Sequence, residues 1–194
     1  MQAGKPGVPP FFLAFSTPRR LLVLAAIVLI SGAAMLPAMR TMSDHGYSLF
    51  AFEQAGSVER SAEIVDTWGE DGKQAAWWQL AFDTPFLIGY GLFAAGACAA
   101  VARRASQADK QRLRRTATVV VWFGPLAAAA DFLQNISLAL ILSGHVASPW
   151  PQVSATGGSL TSLLMAAALL FAIVGWAATR GARASGLAEG GPRP

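Results

Sequence analysis

WWQLAFDTPFLIGYGLFAAGACAAVA (77–102) and TATVVVWFGPLAAAADFLQNISLALIL (116–142) are the two stretches whose reading decides the fold. At a helical rise of about 1.5 Å per residue, each is long enough for a hydrocarbon core of about 30 Å. Each also carries an aspartate inside it, Asp83 and Asp131, and Asn135 follows Asp131 one helical turn later. Those buried polar groups are the chemistry the chain offers.

Composition points the same way. The chain is 54% hydrophobic and only 13% charged, outside the range of ordinary soluble domains. Its net charge of +4 is carried by short basic runs that flank apolar segments. That placement suits membrane orientation and argues against a nucleic-acid partner. The single cysteine, Cys98, lies within an apolar segment, so neither an internal disulfide nor a Cys/His zinc site can be assembled. No cofactor motif is present.

Working outward, residues 21–39 and 159–179 are two further apolar runs of spanning length. Ser31-Gly32-Ala33 offers small residues for signal cleavage, but the apolar run continues to Met39, which favours retention. Residues 1–20 read as an irregular cytoplasmic tail whose Phe11, Phe12 and Phe15 touch the interface, and residues 180–194 as a disordered cytoplasmic tail. The polar segment 40–76 holds seven acidic residues against Arg40, Arg60 and Lys73. Its apolar residues recur at three- and four-residue spacing, which predicts one or two amphipathic helices on the membrane face. Ser57 is the expected N-cap of the second and Gly69 its expected C-cap. Trp68, Trp77 and Trp78 are expected at headgroup level. Residues 103–115 carry six basic residues, and the loop 143–158 carries no formal charge.

The basic segments are thus the N-terminus, the middle loop and the C-terminus. The positive-inside rule then predicts four spans, about 21–39, 77–102, 116–142 and 159–179, with both termini cytoplasmic. The expected fold is all-α, a polytopic membrane four-helix bundle over 21–179 with an extracytoplasmic amphipathic segment at 40–76. Unbroken apolar runs without alternation exclude a β-barrel, and no internal repeat argues for an inverted-repeat transporter.

Depth and face follow from helix geometry. Asp83 falls roughly 9 Å below the outer surface, Asn135 roughly 10 Å and Asp131 roughly 16 Å. Gln79, Asp83, Leu87, Tyr90 and Ala94 share one face of the second span; Gly124, Ala127, Asp131, Asn135, Leu138 and Leu142 share one face of the third. Gly91, Ala95 and Ala99 lie beside the first stripe and permit close helix approach. A carboxylate facing lipid costs about 2.5–3.5 kcal/mol at mid-helix, so both aspartates are expected to face protein or water. The spans contain no Lys or Arg. Either a proton stays on one aspartate, or the pair shares a cation or the positive end of a ligand.

Several readings of this seam stay open. In one, the aspartates serve only helix register, bonding Asn135, Gln134 or Tyr90, or, when protonated, carbonyls released by Pro85 and Pro125. The seam can equally be a pocket for a lipid headgroup or small amphiphile, lined by Gln79, Asp83, Tyr90, Asp131, Gln134 and Asn135 with His145 at its mouth. Or two carboxylates can act as acid and base. A metal site from Asp83, Asp131, His45 and His145 lacks motif spacing and is set aside.

Phe52-Glu53, Trp68-Gly69, Asp83 with Pro85 and Tyr90, and Pro125 with Asp131 and Asn135 together resemble a family of uncharacterised bacterial four-helix membrane proteins. The resemblance covers residues 47–135 and implies a multi-pass protein of the bacterial inner membrane, without implying an activity. Gln134 stands where the family pattern has an acid, which weakens any requirement for a third carboxylate there. Two function classes remain: a binding or accessory protein holding a lipid or small amphiphilic ligand, or docking a second copy or another membrane protein; and an intramembrane enzyme or proton-coupled carrier using Asp83 and Asp131.

Overall fold

The computed structural model describes residues 7–188, with side chains to Arg180. Among these the chain is all-helical: α1 (Pro10–Phe15), α2 (Pro18–Asp44), α3 (Leu49–Glu53), α4 (Val58–Gln107), α5 (Gln111–Val120), α6 (Phe123–Leu142) and α7 (Trp150–Ala188). Four helical stretches are long and apolar enough to cross a membrane: α2, α4, the α5–α6 pair and α7.

Local chemistry explains most of the boundaries. Pro10 and Pro18 open α1 and α2, where their missing N–H groups cost nothing. Ser48 and Ser57 cap α3 and α4, each hydroxyl accepting from the backbone N–H three residues on. Gly69 adopts φ 57°, ψ −159°, a geometry that disfavours any side chain, and there α4 divides into two helical pieces. The Ser57 cap and the Gly69 break are therefore where the sequence puts them.

α4 is the central helix. Two thirds (67%) of its most apolar window is buried, against 17% for α2 and 11% for α7. It packs against α2, α6 and α7, and α6 in turn against α7. The closest approach is between α4 and α6: a Cβ on Gly124 would stand 2.4 Å from the Gly91 carbonyl oxygen. Ala95 and Ala99 are buried beside this crossing, as the small-residue stripe predicts. Leu22, Leu29 and Ile30 of α2 and Leu163, Leu170 and Ile173 of α7 project outward, each more than 60% exposed. A run of exposed aliphatic residues on this scale is the surface that hydrocarbon, not water, accommodates.

Several expectations are corrected. Residues 10–15 are helical, and Val8 and Phe12 are buried against Ala102, Ala117 and Val121, because an aromatic-rich segment next to an apolar hollow gains more by docking than by solvation. Residues 18–20 already belong to α2. α7 begins at Trp150 instead of near 159, since Pro151 suits a first helical turn; Gly157 and Gly158 lie inside the helix, pressed against α6. Residues 180–188 are helical backbone rather than disordered, and 189–194 lie outside the described residues, as do 1–6. Pro125 does not interrupt a helix. The chain turns at Val121–Trp122, which puts Pro125 in the first turn of α6.

Trp68 is not at a surface at all. It is fully buried, edge-on to Phe52 at 4.9 Å, and its indole N–H donates to the Tyr47 carbonyl at 2.8 Å. With Met42, Leu49, Ile64, Val65, Leu138 and Ile141 it forms a core that fastens α3 over one end of α4 and α6. Trp77 and Trp78 are exposed.

The opposite end gathers the basic stretches. Arg103 donates to the Ser16 hydroxyl at 3.0 Å, Lys110 to the Ala178 carbonyl at 2.7 Å, and the Arg104 guanidinium lies over the Trp176 ring at 3.4 Å.

Candidate functional site: a polar seam between α4 and α6

The predicted α4 stripe is buried throughout: Gln79, Asp83, Leu87, Tyr90 and Ala94. On α6 the buried arc is wider than the predicted stripe. It includes Gln134, Ser137 and Ile141, while Asp131 and Asn135 are partly buried. The reason is that α6 is wedged between α4 and α7, so two faces are covered instead of one.

Two hydrogen-bonded pairs cross from α4 to α6. The Tyr90 hydroxyl donates to Asp131 Oδ2 at 2.7 Å, and the Asn135 amide donates to Asp83 Oδ2. The pairing is crossed in type: each helix supplies one carboxylate and one donor. The close Gly91–Gly124 contact, one residue from Tyr90, brings the two backbones near enough for these side chains to meet. Thr161 of α7 donates to the Ala127 carbonyl at 3.1 Å and also lies in hydrogen-bonding reach of Tyr90.

The third carboxylate in the seam comes from α3. Glu53 lies at the end of that short helix, and its backbone carbonyl accepts from the buried Ser154 hydroxyl of α7 at 3.1 Å. Burial first, then the charges on Asp131 and Asp83, push its carboxyl up from about 4.5 to about 8. Burial and these charges thus favour the protonated carboxyl at neutral pH, the form that can donate a hydrogen bond. Sequence reading counted Glu53 as one acid of a polar segment and as part of the family resemblance, and missed its place in the seam. The available signal was an acid directly after the apolar Leu49–Phe52 stretch, in a helix capped by Ser48.

Two glutamines complete the seam with unused acceptors. Gln134 is 2% exposed and Gln79 3% exposed, and the side-chain carbonyl oxygen of each has no donor. The Gln79 amide donates only weakly, to Met35 Sδ at 3.7 Å. Gly158 leaves room for the other: a Cβ there would lie 2.9 Å from Gln134 Oε1 and 3.1 Å from Gln54 Nε2. Leaving a buried carbonyl without a donor costs about 1–3 kcal/mol.

The histidines lie elsewhere. His145 is exposed in the α6–α7 loop, and His45 bonds the Thr41 carbonyl at 2.8 Å beside a hollow between α2 and α4. Among the described residues no group of three His, Cys, Asp or Glu is spaced to hold a metal ion. The seam is thus rich in acceptors and acids and holds no basic side chain. Chemically it suits a donor-bearing or cationic head, or the passage of a proton.

In comparisons with protein families, curated proteins and solved structures, no match to this chain is found.

Proposed function

We propose that the chain is an integral protein of a bacterial inner membrane, a four-helix bundle with both termini cytoplasmic and α3 as an extracytoplasmic lid, that binds the polar head of a lipid or small amphiphile in the Asp83/Asp131 seam. The orientation is supported by the basic runs at one end and the acid-rich 40–76 segment at the other. The ligand reading is carried by one observation: Gln79 and Gln134, buried on the same two helices as Asp83 and Asp131, keep side-chain carbonyl oxygens that no donor among the described residues serves. A hydroxyl- or amine-bearing head satisfies those acceptors, and an apolar tail follows the exposed aliphatic faces into lipid.

The test is native mass spectrometry of the detergent-extracted protein, wild type beside Asp83→Asn with Asp131→Asn. The expected result is a retained adduct of defined mass that the double variant loses while keeping its helical circular dichroism. Bare protein in both samples, with the variant only less stable, would make the aspartates structural and end this reading.

A second reading, a proton-coupled carrier, is favoured by Glu53, whose carboxyl is pushed up to about 8 by burial and by the charges of Asp131 and Asp83. It differs in requiring that Asp83→Asn or Asp131→Asn abolish pH-driven uptake in proteoliposomes outright. Asparagine preserves hydrogen bonding but carries no titratable proton.

A further inference from the structure

Away from the seam, a hollow of about 490 Å³ lies between α2 and the part of α4 that follows the Gly69 break. Asp71, Gln74, Trp78 and Phe82 form its α4 wall, stacked along one face by successive helical turns. The α2 wall runs from Ala34, Pro37 and Ala38 to Thr41 and His45. The hollow therefore has an apolar end within the α2 span and a polar end beside the acid-rich 40–76 segment. Its volume is that of a headgroup-sized ligand.

The polar end is supplied with acceptors. His45 Nδ1 lies 2.8 Å from the Thr41 carbonyl, and because a carbonyl only accepts, that nitrogen carries a proton; in the neutral ring Nε2 is then the acceptor. The Thr41 hydroxyl donates to the Pro37 carbonyl at 3.2 Å and keeps its lone pairs. Asp71 adds a carboxylate. Of the three basic residues of this segment, Arg60 is paired with Glu63 at 2.8 Å and Lys73 with Glu70 at 3.4 Å. Arg40 falls about a third of a turn round α2 from the wall of the hollow.

An aromatic pair joins the two ends. The Trp78 and Phe82 rings are nearly parallel, at 17° and 5.9 Å between centroids, and Trp78 is 57% exposed. The face of an indole attracts a cation. A carboxylate, neutral acceptors and a ring face in one cavity match a primary ammonium, which brings a positive charge and three N–H donors.

We propose that this hollow binds the head of an aminophospholipid, its primary ammonium among Asp71, His45 and Trp78 and its glycerol and acyl parts along Pro37, Ala38 and Phe82. The Gln74 amide, which carries N–H donors, serves the phosphate. A lipid is favoured over a small free amine because the apolar end lies on the helix whose Leu29, Ile30 and Leu36 project outward, so an acyl chain has a surface to follow. The site shares with the preceding section the reading that the chain spans a membrane, but uses none of the seam residues.

The experiment offers the full-length detergent-solubilised protein equimolar dioleoyl-phosphatidylethanolamine, dioleoyl-phosphatidylcholine and dioleoyl-phosphatidylglycerol at neutral pH, read by native mass spectrometry. One phosphatidylethanolamine adduct is expected, preferred about tenfold over either other lipid. Asp71→Asn and Trp78→Leu are each expected to lower that preference about threefold, and together to abolish it. Asp83→Asn with Asp131→Asn is expected to keep the preference, which separates failure here from failure of the seam reading; its loss there would put the amine in the seam and overturn the proposal. Excess free ethanolamine is expected to leave the adduct in place, and displacement by it would make the ligand a soluble amine instead of a lipid. Equal binding of the three lipids by wild type, or a preference that survives both substitutions, also overturns the proposal. If Trp78→Leu loses its helical circular dichroism, Asp71→Asn alone decides: this exposed side chain lowers the preference or the proposal fails.

Discussion

Replacing Glu53 with Gln removes the one titration that the structure moves furthest into the physiological range outside the spans. The carboxyl is pushed up to about 8 because burial disfavours its charge and because Asp131 and Asp83 add negative potential. In an unfolded chain the same group ionises near its ordinary value of about 4.5. Between those limits the unfolded state releases a proton that the folded state keeps, so each pH unit takes about 1.4 kcal/mol from the folded state. The sign is fixed: the contribution is whole below about pH 4.5, declines as pH rises, and is gone above about 8. Across the window the loss is about 5 kcal/mol, enough to dominate the pH profile of a protein of marginal stability. Gln keeps the shape and hydrogen-bonding capacity and cannot ionise, so Glu53→Gln is expected to match wild type near pH 4.5 and exceed it increasingly toward pH 8. The assay is unfolding in detergent, followed by tryptophan fluorescence at pH 5, 6.5, 8 and 9, wild type beside variant. Parallel profiles from pH 5 to 8 would refute the burial of the Glu53 carboxyl beside the charges of Asp131 and Asp83.

Two further substitutions test the architecture that builds the seam. Gly124→Leu forces a Cβ to 2.4 Å from the Gly91 carbonyl, so α4 and α6 must separate. The expected cost is about 1–3 kcal/mol or more, and an unchanged melting temperature in detergent would contradict the backbone contact. Trp68→Ala empties the core under α3 and removes the donor to Tyr47. It is expected to cost about 3–5 kcal/mol and to expose residues 45–57 to protease, so identical digestion patterns would show that Trp68 does not hold α3 in place.

The elements that depend on local chemistry were legible in the amino-acid order. Ser57 caps and Gly69 breaks because a hydroxyl accepts a nearby N–H and a glycine tolerates positive φ, and both properties belong to the residue itself. The α4 stripe was legible for a similar reason, since helical periodicity alone gathers Gln79, Asp83, Leu87, Tyr90 and Ala94 onto one face. The α6 stripe was read too narrowly, because how much of a helix is buried depends on how many neighbours it has. Likewise Trp68 carries an interfacial residue type, yet Phe52 and Tyr47, sixteen and twenty-one residues away, offered it a ring and a carbonyl.

The sequence by itself determined that the chain is helical, that four stretches suit a bilayer, and that Asp83, Asp131 and Asn135 lie inside them, since length, hydropathy and a 3.6-residue period are sums over neighbours in the chain. Only the tertiary structure decided which donor serves which carboxylate. Tyr90 meets Asp131 across 41 positions and Asn135 meets Asp83 across 52, and the choice depends on where α4 and α6 cross at Gly91 and Gly124. It also decided that Glu53 is the third acid of the seam. That position follows from a capped turn of helix, an aromatic core beneath it and a Ser154 hydroxyl 101 residues away, a set of contacts that no periodicity encodes.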